Sequence, residues 1–211
     1  MPVSMRTRIK FCGITRAEDA QAAARLGVDA LGFVFYAKSP RAVRAEQARE
    51  IARQVPPFVT RVALFLDASA DEIQQVIGIV NPDVLQFHGR EPRAFCAGFG
   101  KPYIKTLGMD GAADLAGAAA AYPDAAAILL DSHAHGAAGG SGRTFDWSRA
   151  PRLPQPVILA GGLSAANVAA AVTALRPHGV DVSSGIEAAP GVKDEAKMRE
   201  FVKEVRHADA A

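Results

Sequence analysis

At 211 residues, with 49% hydrophobic and 22% charged side chains, the chain can bury one sizeable core, and this excludes a disordered or fibrous composition. The formal charge of +2 is spread along the sequence without clustered Lys/Arg runs or interleaved aromatics, so a nucleic-acid surface is not expected, whereas a small anionic ligand is compatible. Met1–Arg8 lacks an apolar signal region, and no later segment approaches the roughly 18 uncharged apolar residues of a membrane span, so neither secretion nor membrane association is expected.

The first β-rich run, Arg8–Ile14, carries Lys10-Phe11-Cys12-Gly13-Ile14-Thr15 and sets a thiol where the strand runs out. Thr15-Arg16-Ala17-Glu18 reads as a capping box that opens a helix over Ala17–Leu26. A helix N-terminus and nearby Lys10 would favour a thiolate at Cys12; the alternative is that Cys12 is a small buried hydrophobe. Strand Ala30–Tyr36 leads through Lys38-Ser39-Pro40-Arg41 into helix Ala45–Val55. Strand Thr60–Asp67 precedes a second capping box, Ser69-Ala70-Asp71-Glu72, and helix Asp71–Val80. Strand Val84–Gly89 ends in His88-Gly89 and is followed by one short helix, Pro92–Phe99. Strand Pro102–Leu107 precedes helix Ala112–Ala121. Strand Ala127–Ser132 ends in Asp131-Ser132; beyond it, the glycines of Gly136–Arg143 suggest a mobile cover, and Asp146–Arg149 makes barely a turn. Strand Pro156–Ala160 runs into Gly161-Gly162, with Ser164 as the expected N-cap of helix Ala165–Leu175. Strand Gly179–Ser183 runs into Ser184-Gly185, and helix Asp194–His207 closes the pattern.

These eight runs recur roughly every 24 residues, a spacing that signals repeated supersecondary units. Most are nearly continuous in Val, Ile, Leu and Phe, as parallel strands covered on both faces require. The expected fold is α/β, a single-domain (β/α)8 barrel spanning residues 1–211. A doubly wound open sheet is the alternative, disfavoured by eight regular units and by the lack of G-x-G-x-x-G after the first strand. A barrel gathers the C-terminal strand ends at one mouth, making Cys12, Arg41, His88 and Asp131 candidates for chemistry. Each has a bland reading: a capping Asp, a solvated Arg, a structural His. Gly161-Gly162 and Ser184-Gly185 follow the seventh and eighth strands, where such barrels hold a phosphate on backbone N–H groups; the bland reading is two tight turns. Cys12 and Cys96 are the only cysteines and fit neither C-x-x-C nor Cys/His spacing. A disulfide framework and a structural zinc are therefore not expected, and a reducing cytoplasm fits best.

Lys10–Thr15, Gly32-Phe33-Val34-Phe35 with Ser39-Pro40-Arg41, Leu85–Gly89, Leu129–Ser132, Gly139–Trp147, Leu159–Leu163 and Val182–Glu187 together resemble the phosphoribosylanthranilate isomerase family of tryptophan biosynthesis. The resemblance implies an Amadori rearrangement of N-(5-phosphoribosyl)anthranilate to the 1-deoxyribulose ketose, without cofactor or metal. It implies Asp131 as general acid and Cys12 as general base. Lys10, Arg41, His88, Gly161, Gly162, Ser184 and Gly185 are implied to bind substrate, with Arg41 gripping the anthranilate carboxylate through a bidentate fork. Such chemistry asks for a lowered thiol pKa at Cys12 and a raised carboxyl pKa at Asp131. A histidine-pathway aminoaldose isomerase would be expected to carry aspartate in place of Cys12. Indole-glycerol-phosphate synthase would bring a lysine and glutamate set and an N-terminal extension. A non-catalytic phosphate sensor is the more distant alternative. The expected partner is a small phosphosugar, and a monomer is slightly favoured over a homodimer.

Overall fold

A computed structural model describes residues 6–110, 114–134 and 151–210. Eight parallel strands close into a barrel in sequence order: β1 (Arg8–Cys12), β2 (Ala30–Val34), β3 (Thr60–Phe65), β4 (Val84–Phe87), β5 (Tyr103–Asp110), β6 (Ala127–Ala134), β7 (Val157–Leu159) and β8 (Gly179–Val182). Helices α1 (Ala17–Arg25), α2 (Ala45–Ala52), α3 (Ala70–Val80), α4 (Arg93–Cys96), α5 (Leu115–Ala120), α6 (Val168–Leu175) and α7 (Glu195–Ala210) follow the strands. After β8 the chain makes a 3₁₀ turn, Ser184–Ile186, and an unforeseen hairpin of β9 (Glu187–Ala189) and β10 (Val192–Lys193).

Strand alternation explains how continuous apolar runs build two environments. Phe11, Phe33, Phe65, Phe87, Leu130 and Val182 point outward and pack in the large core beneath the helices. The alternate positions fill the barrel: Ile104, Ala127, Leu129 and Ala160 form one interior cluster, and Cys12, Val34 and Leu64 another. Lys10, Gln86, Asp131 and Asp181 also occupy inward positions, and all are buried. The interior layer at the C-terminal strand ends is therefore polar, and that is where the mouth opens.

The second capping box forms as expected, with Ser69 Oγ accepting from the Glu72 amide and Glu72 accepting from the Ser69 amide. The first does not. Arg16 occupies the N-cap of α1, with no side-chain cap bond, and Thr15 Oγ1 instead donates to the Gly191 carbonyl at 2.5 Å, drawn off by the β9–β10 hairpin. Ser164 is likewise not the N-cap of α6. A turn intervenes, and Asn167 holds that position, reaching back to accept from the Ser164 amide at 2.8 Å. α5 is capped by Asp114, which accepts from the Gly117 amide, so it begins later than Ala112. The expected cover Gly136–Arg143 and turn Asp146–Arg149 lie outside the described residues.

Behind β4, Lys105 Nζ donates to the Gly89 carbonyl at 2.6 Å and to Glu91 Oε2 at 2.8 Å, while Glu91 Oε1 accepts from the amides of Asp67 and Gly89. This buried pair fixes the loop that carries His88. Lys105→Met should leave a buried carboxylate unpaired and cost about 3–5 kcal/mol of stability. Urea denaturation checks it, and a loss under about 1 kcal/mol would mean that water reaches Glu91 freely.

Candidate active site

The barrel mouth opens into a cleft of about 860 Å³, its open rim included, lined by Cys12, Arg41, His88, Asp131, Gly161, Gly162, Asp181 and Ser184 among others. Cys12 ends β1 and Asp131 lies on β6, three strands away around the ring, so the two groups face the cleft from opposite sides.

Lys10 sits two residues below Cys12 on the same inward face. It is 5% exposed, and its Nζ donates to Asp181 Oδ1 at 2.9 Å on the neighbouring β8. Gly32 makes room for this arrangement: a Cβ there would come within 3.0 Å of both Lys10 Nζ and Cys12 Sγ. Lys10 is not among the residues that line the cleft; its ammonium pairs with Asp181 and stands beside the thiol. Asp181 and Cys12 hold the ammonium above its ordinary pKa although burial opposes them.

Cys12 departs from expectation in a second way. Burial pushes its thiol above the ordinary value, and this outweighs the opposing pull of Lys10 and Lys193. The helix dipole contributes little, since α1 begins at Ala17 and a macrodipole acts within about one turn of the helix end. At neutral pH the residue is therefore a thiol.

His88 Nε2 stands 3.8 Å from Asp131 Oδ2, and burial pulls the imidazole below its ordinary pKa, so it is neutral at physiological pH. Its Nδ1 is buried without a hydrogen-bond partner among the described residues.

Arg41 is held by its own loop, its amide donating to Ser39 Oγ while Val43 returns to hydrogen-bond the Val34 carbonyl. Its Nε and Nη2 both donate to the Glu187 carboxylate at 2.8 Å. One edge of the fork is thus already taken by protein, and Arg41 is among the residues that line the cleft. Nothing in the local sequence flags Glu187 as its partner, because 146 residues separate the two.

Gly161 and Gly162 adopt φ of +84° and +64°, which side chains disfavour, and Asn167 Nδ2 donates to the Gly162 carbonyl at 2.9 Å. Gly185 is needed for a different reason: a Cβ there would collide with the Leu163 carbonyl oxygen, so this glycine lets the two turns pack against each other. Among the described residues, no group of three or more His, Cys, Asp and Glu is placed to hold a metal ion.

Residues 9–204 match the protein family described as N-(5'-phosphoribosyl)anthranilate (PRA) isomerase. The chain belongs to the phosphoribosylanthranilate isomerase family. An N-(5'-phosphoribosyl)anthranilate isomerase from Acidithiobacillus ferrooxidans is 56% identical over 199 residues, covering 94% of this chain and 97% of that protein. One from Pseudomonas fluorescens Pf0-1 is 53% identical over 200 residues, covering 94% and 98%. The crystal structure of the Thermotoga maritima phosphoribosyl anthranilate isomerase superposes with a TM-score of 0.87 at 39% identity, covering 95% of this chain and 99% of that one. A further phosphoribosyl anthranilate isomerase structure, in complex with reduced 1-(o-carboxyphenylamino)-1-deoxyribulose 5-phosphate, has a TM-score of 0.82 at 38% identity, with coverage of 95% and 99%.

The raised thiol pKa makes a specific expectation for the free protein. Alkylation of Cys12 by iodoacetamide, followed by peptide mass spectrometry, should accelerate only above the pH range of an ordinary thiol. Lys10→Met should move that rise further upward, since a cation beside Sγ is lost and Asp181 is left uncompensated. Cys96, pushed up to about 12 by burial, serves as the unreactive internal reference. A Cys12 profile unmoved by Lys10→Met would remove Lys10 from the thiol's electrostatics.

Proposed function

We infer that this chain isomerises N-(5-phosphoribosyl)anthranilate to 1-(2-carboxyphenylamino)-1-deoxyribulose 5-phosphate in tryptophan biosynthesis, by general acid–base catalysis in the barrel mouth. The observation that carries the mechanism is the placement of a thiol and a carboxyl on opposite sides of one cleft. Asp131 protonates the furanose ring oxygen, and the C1–O bond breaks to leave an iminium. Cys12, as thiolate, removes the C2 proton to give an enolamine, which tautomerises to the ketone. Lys10 supplies the cation beside Sγ that favours the ionised sulfur, and Asp181 holds Lys10 in place. Neutral His88 lines the sugar end beside Asp131. The Gly161-Gly162 turn and Ser184-Gly185 cradle the phosphate on backbone N–H groups, and the remaining edge of Arg41 receives the anthranilate carboxylate. A cytoplasmic location and a monomeric state accord with this reading.

A family isomerase that kept its fold as a non-catalytic phosphate sensor would bind the same ligand without turnover. Loss of anthranilate-type fluorescence on adding freshly made phosphoribosylanthranilate separates the two. Cys12→Ser and Asp131→Asn should each lower kcat by at least ~10², the scale expected for a positioned acid or base, with folding preserved by circular dichroism. Turnover within a few-fold of the unmodified protein would remove that residue from the mechanism.

For the phosphate, Gly162→Val is the informative change, because its positive φ would be strained and a side chain would approach the anion. Inorganic phosphate should then lose its weak competitive inhibition while KM rises. Gly185→Val is a poor probe, since it collides with Leu163 whether or not phosphate binds there. A folded Gly162→Val protein with unchanged KM and phosphate sensitivity would reduce this glycine to a turn residue.

A further inference from the structure

The hairpin after β8 contributes two charged residues that face the back of the site. Lys193 Nζ, fully buried, donates to the Cys12 carbonyl at 2.7 Å, to the Ser183 carbonyl at 3.1 Å and to Glu187 Oε1 at 2.9 Å. Glu187 is 5% exposed and holds the Nε–Nη2 edge of Arg41 through both carboxylate oxygens. Gly13, at φ +73°, lets the Arg41 side chain lie across the backbone that follows Cys12, since a Cβ there would collide with Arg41 Cδ. Arg41 and Lys193 thus share one carboxylate, Glu187, beside the cleft.

We propose that Glu187, braced by Lys193, is the positioning residue that turns the Nη1–Nη2 edge of Arg41 into the cleft and so sets selectivity for an aryl amine bearing a carboxylate. The proposal rests on the reading of Arg41 as the carboxylate anchor. An arginine side chain has several rotatable bonds and is entropically costly to hold in one pose. A side-on carboxylate removes that freedom before substrate arrives, and the planar fork keeps its other edge in the same plane. Burial would raise the Glu187 carboxyl, but the Arg41 fork and Lys193 outweigh it and hold it below its ordinary pKa, so the brace stays ionised across the physiological range. Because Lys193 also grips the Cys12 carbonyl, the hairpin references the carboxylate anchor and the base to one point.

The test uses two ligands: reduced 1-(o-carboxyphenylamino)-1-deoxyribulose 5-phosphate and its counterpart lacking the ring carboxylate, titrated calorimetrically into the full-length protein and into Glu187→Gln. Affinity of the variant for the carboxylated ligand should fall on the order of 10- to 100-fold, while affinity for the other ligand changes less than about threefold. Glu187→Asp, which keeps the charge but shortens the reach, should fall between the two. Equal losses for both ligands would make Glu187 a fold residue and overturn the proposal, as would retention of the full preference in Glu187→Gln. If the unmodified protein shows no preference for the carboxylated ligand, the Arg41 reading itself fails and the proposal falls with it. Should Glu187→Gln not fold, the Glu187→Asp comparison decides by the same ratio.

Discussion

Strand β8 pairs with β1 in a register that sets Asp181 opposite Lys10, so closing the barrel presses an ammonium against a carboxylate in its interior. Desolvating two charges costs several kcal/mol each, and a buried pair often returns little more than that cost, so the fold gains scant net stability from it. What it gains is position. Gly32 leaves a gap into which both Lys10 Nζ and Cys12 Sγ project, so the seam of the barrel delivers a fixed cation to the sulfur. An unpaired lysine in the same place would shed its proton to escape burial, and the thiol would lose its electrostatic partner.

The same device recurs at two other points of the rim. Lys105 and Glu91 tie down the loop after β4, and Lys193 and Glu187 tie the end of β8 to the end of β1. In each, a lysine satisfies backbone carbonyls of a loop while a glutamate satisfies its amides or a neighbouring guanidinium. Loops that would otherwise open locally at little free-energy cost are thereby held to the barrel. The mouth is preorganised by buried charge, whereas the layers below it are held by Leu, Ile, Val and Phe packing.

How much of this was legible in the sequence follows from the range of each interaction. The eight strands were readable because each is a local run of β-branched and aromatic residues, and the Ser69 capping box because its partners lie three residues apart. Cys12, His88 and Asp131 could be placed at the mouth by strand end alone. The Thr15 box failed because its hydroxyl meets Gly191, 176 residues away, and a local motif carries no word of that competitor. Asp181, Glu187 and Lys193 escaped notice for the same reason. Their partners are set by barrel closure, and the hairpin that holds two of them is built from strands of three and two residues, too short for any periodic signal. The inward alternation of Lys10 with Cys12, by contrast, is a local pattern, and it alone places the Lys10 side chain on the same interior face as the thiol.

The raised pKa of Cys12 looks at first like an obstacle to the role proposed for it as a base, since only the thiolate can take a proton from carbon. Yet base strength and ionised fraction pull in opposite directions. A sulfur whose pKa is lowered far below neutrality is abundant as thiolate but a poor acceptor, and one buried without charge partners is a strong acceptor that scarcely exists. At Cys12, burial raises the thiol pKa, while Lys10 and Lys193 pull against it. The carboxylate that acts against them, Asp181, is itself committed to Lys10, so it does not cancel that pull in full. The seam that closes the barrel therefore also sets the electrostatic surroundings of its thiol.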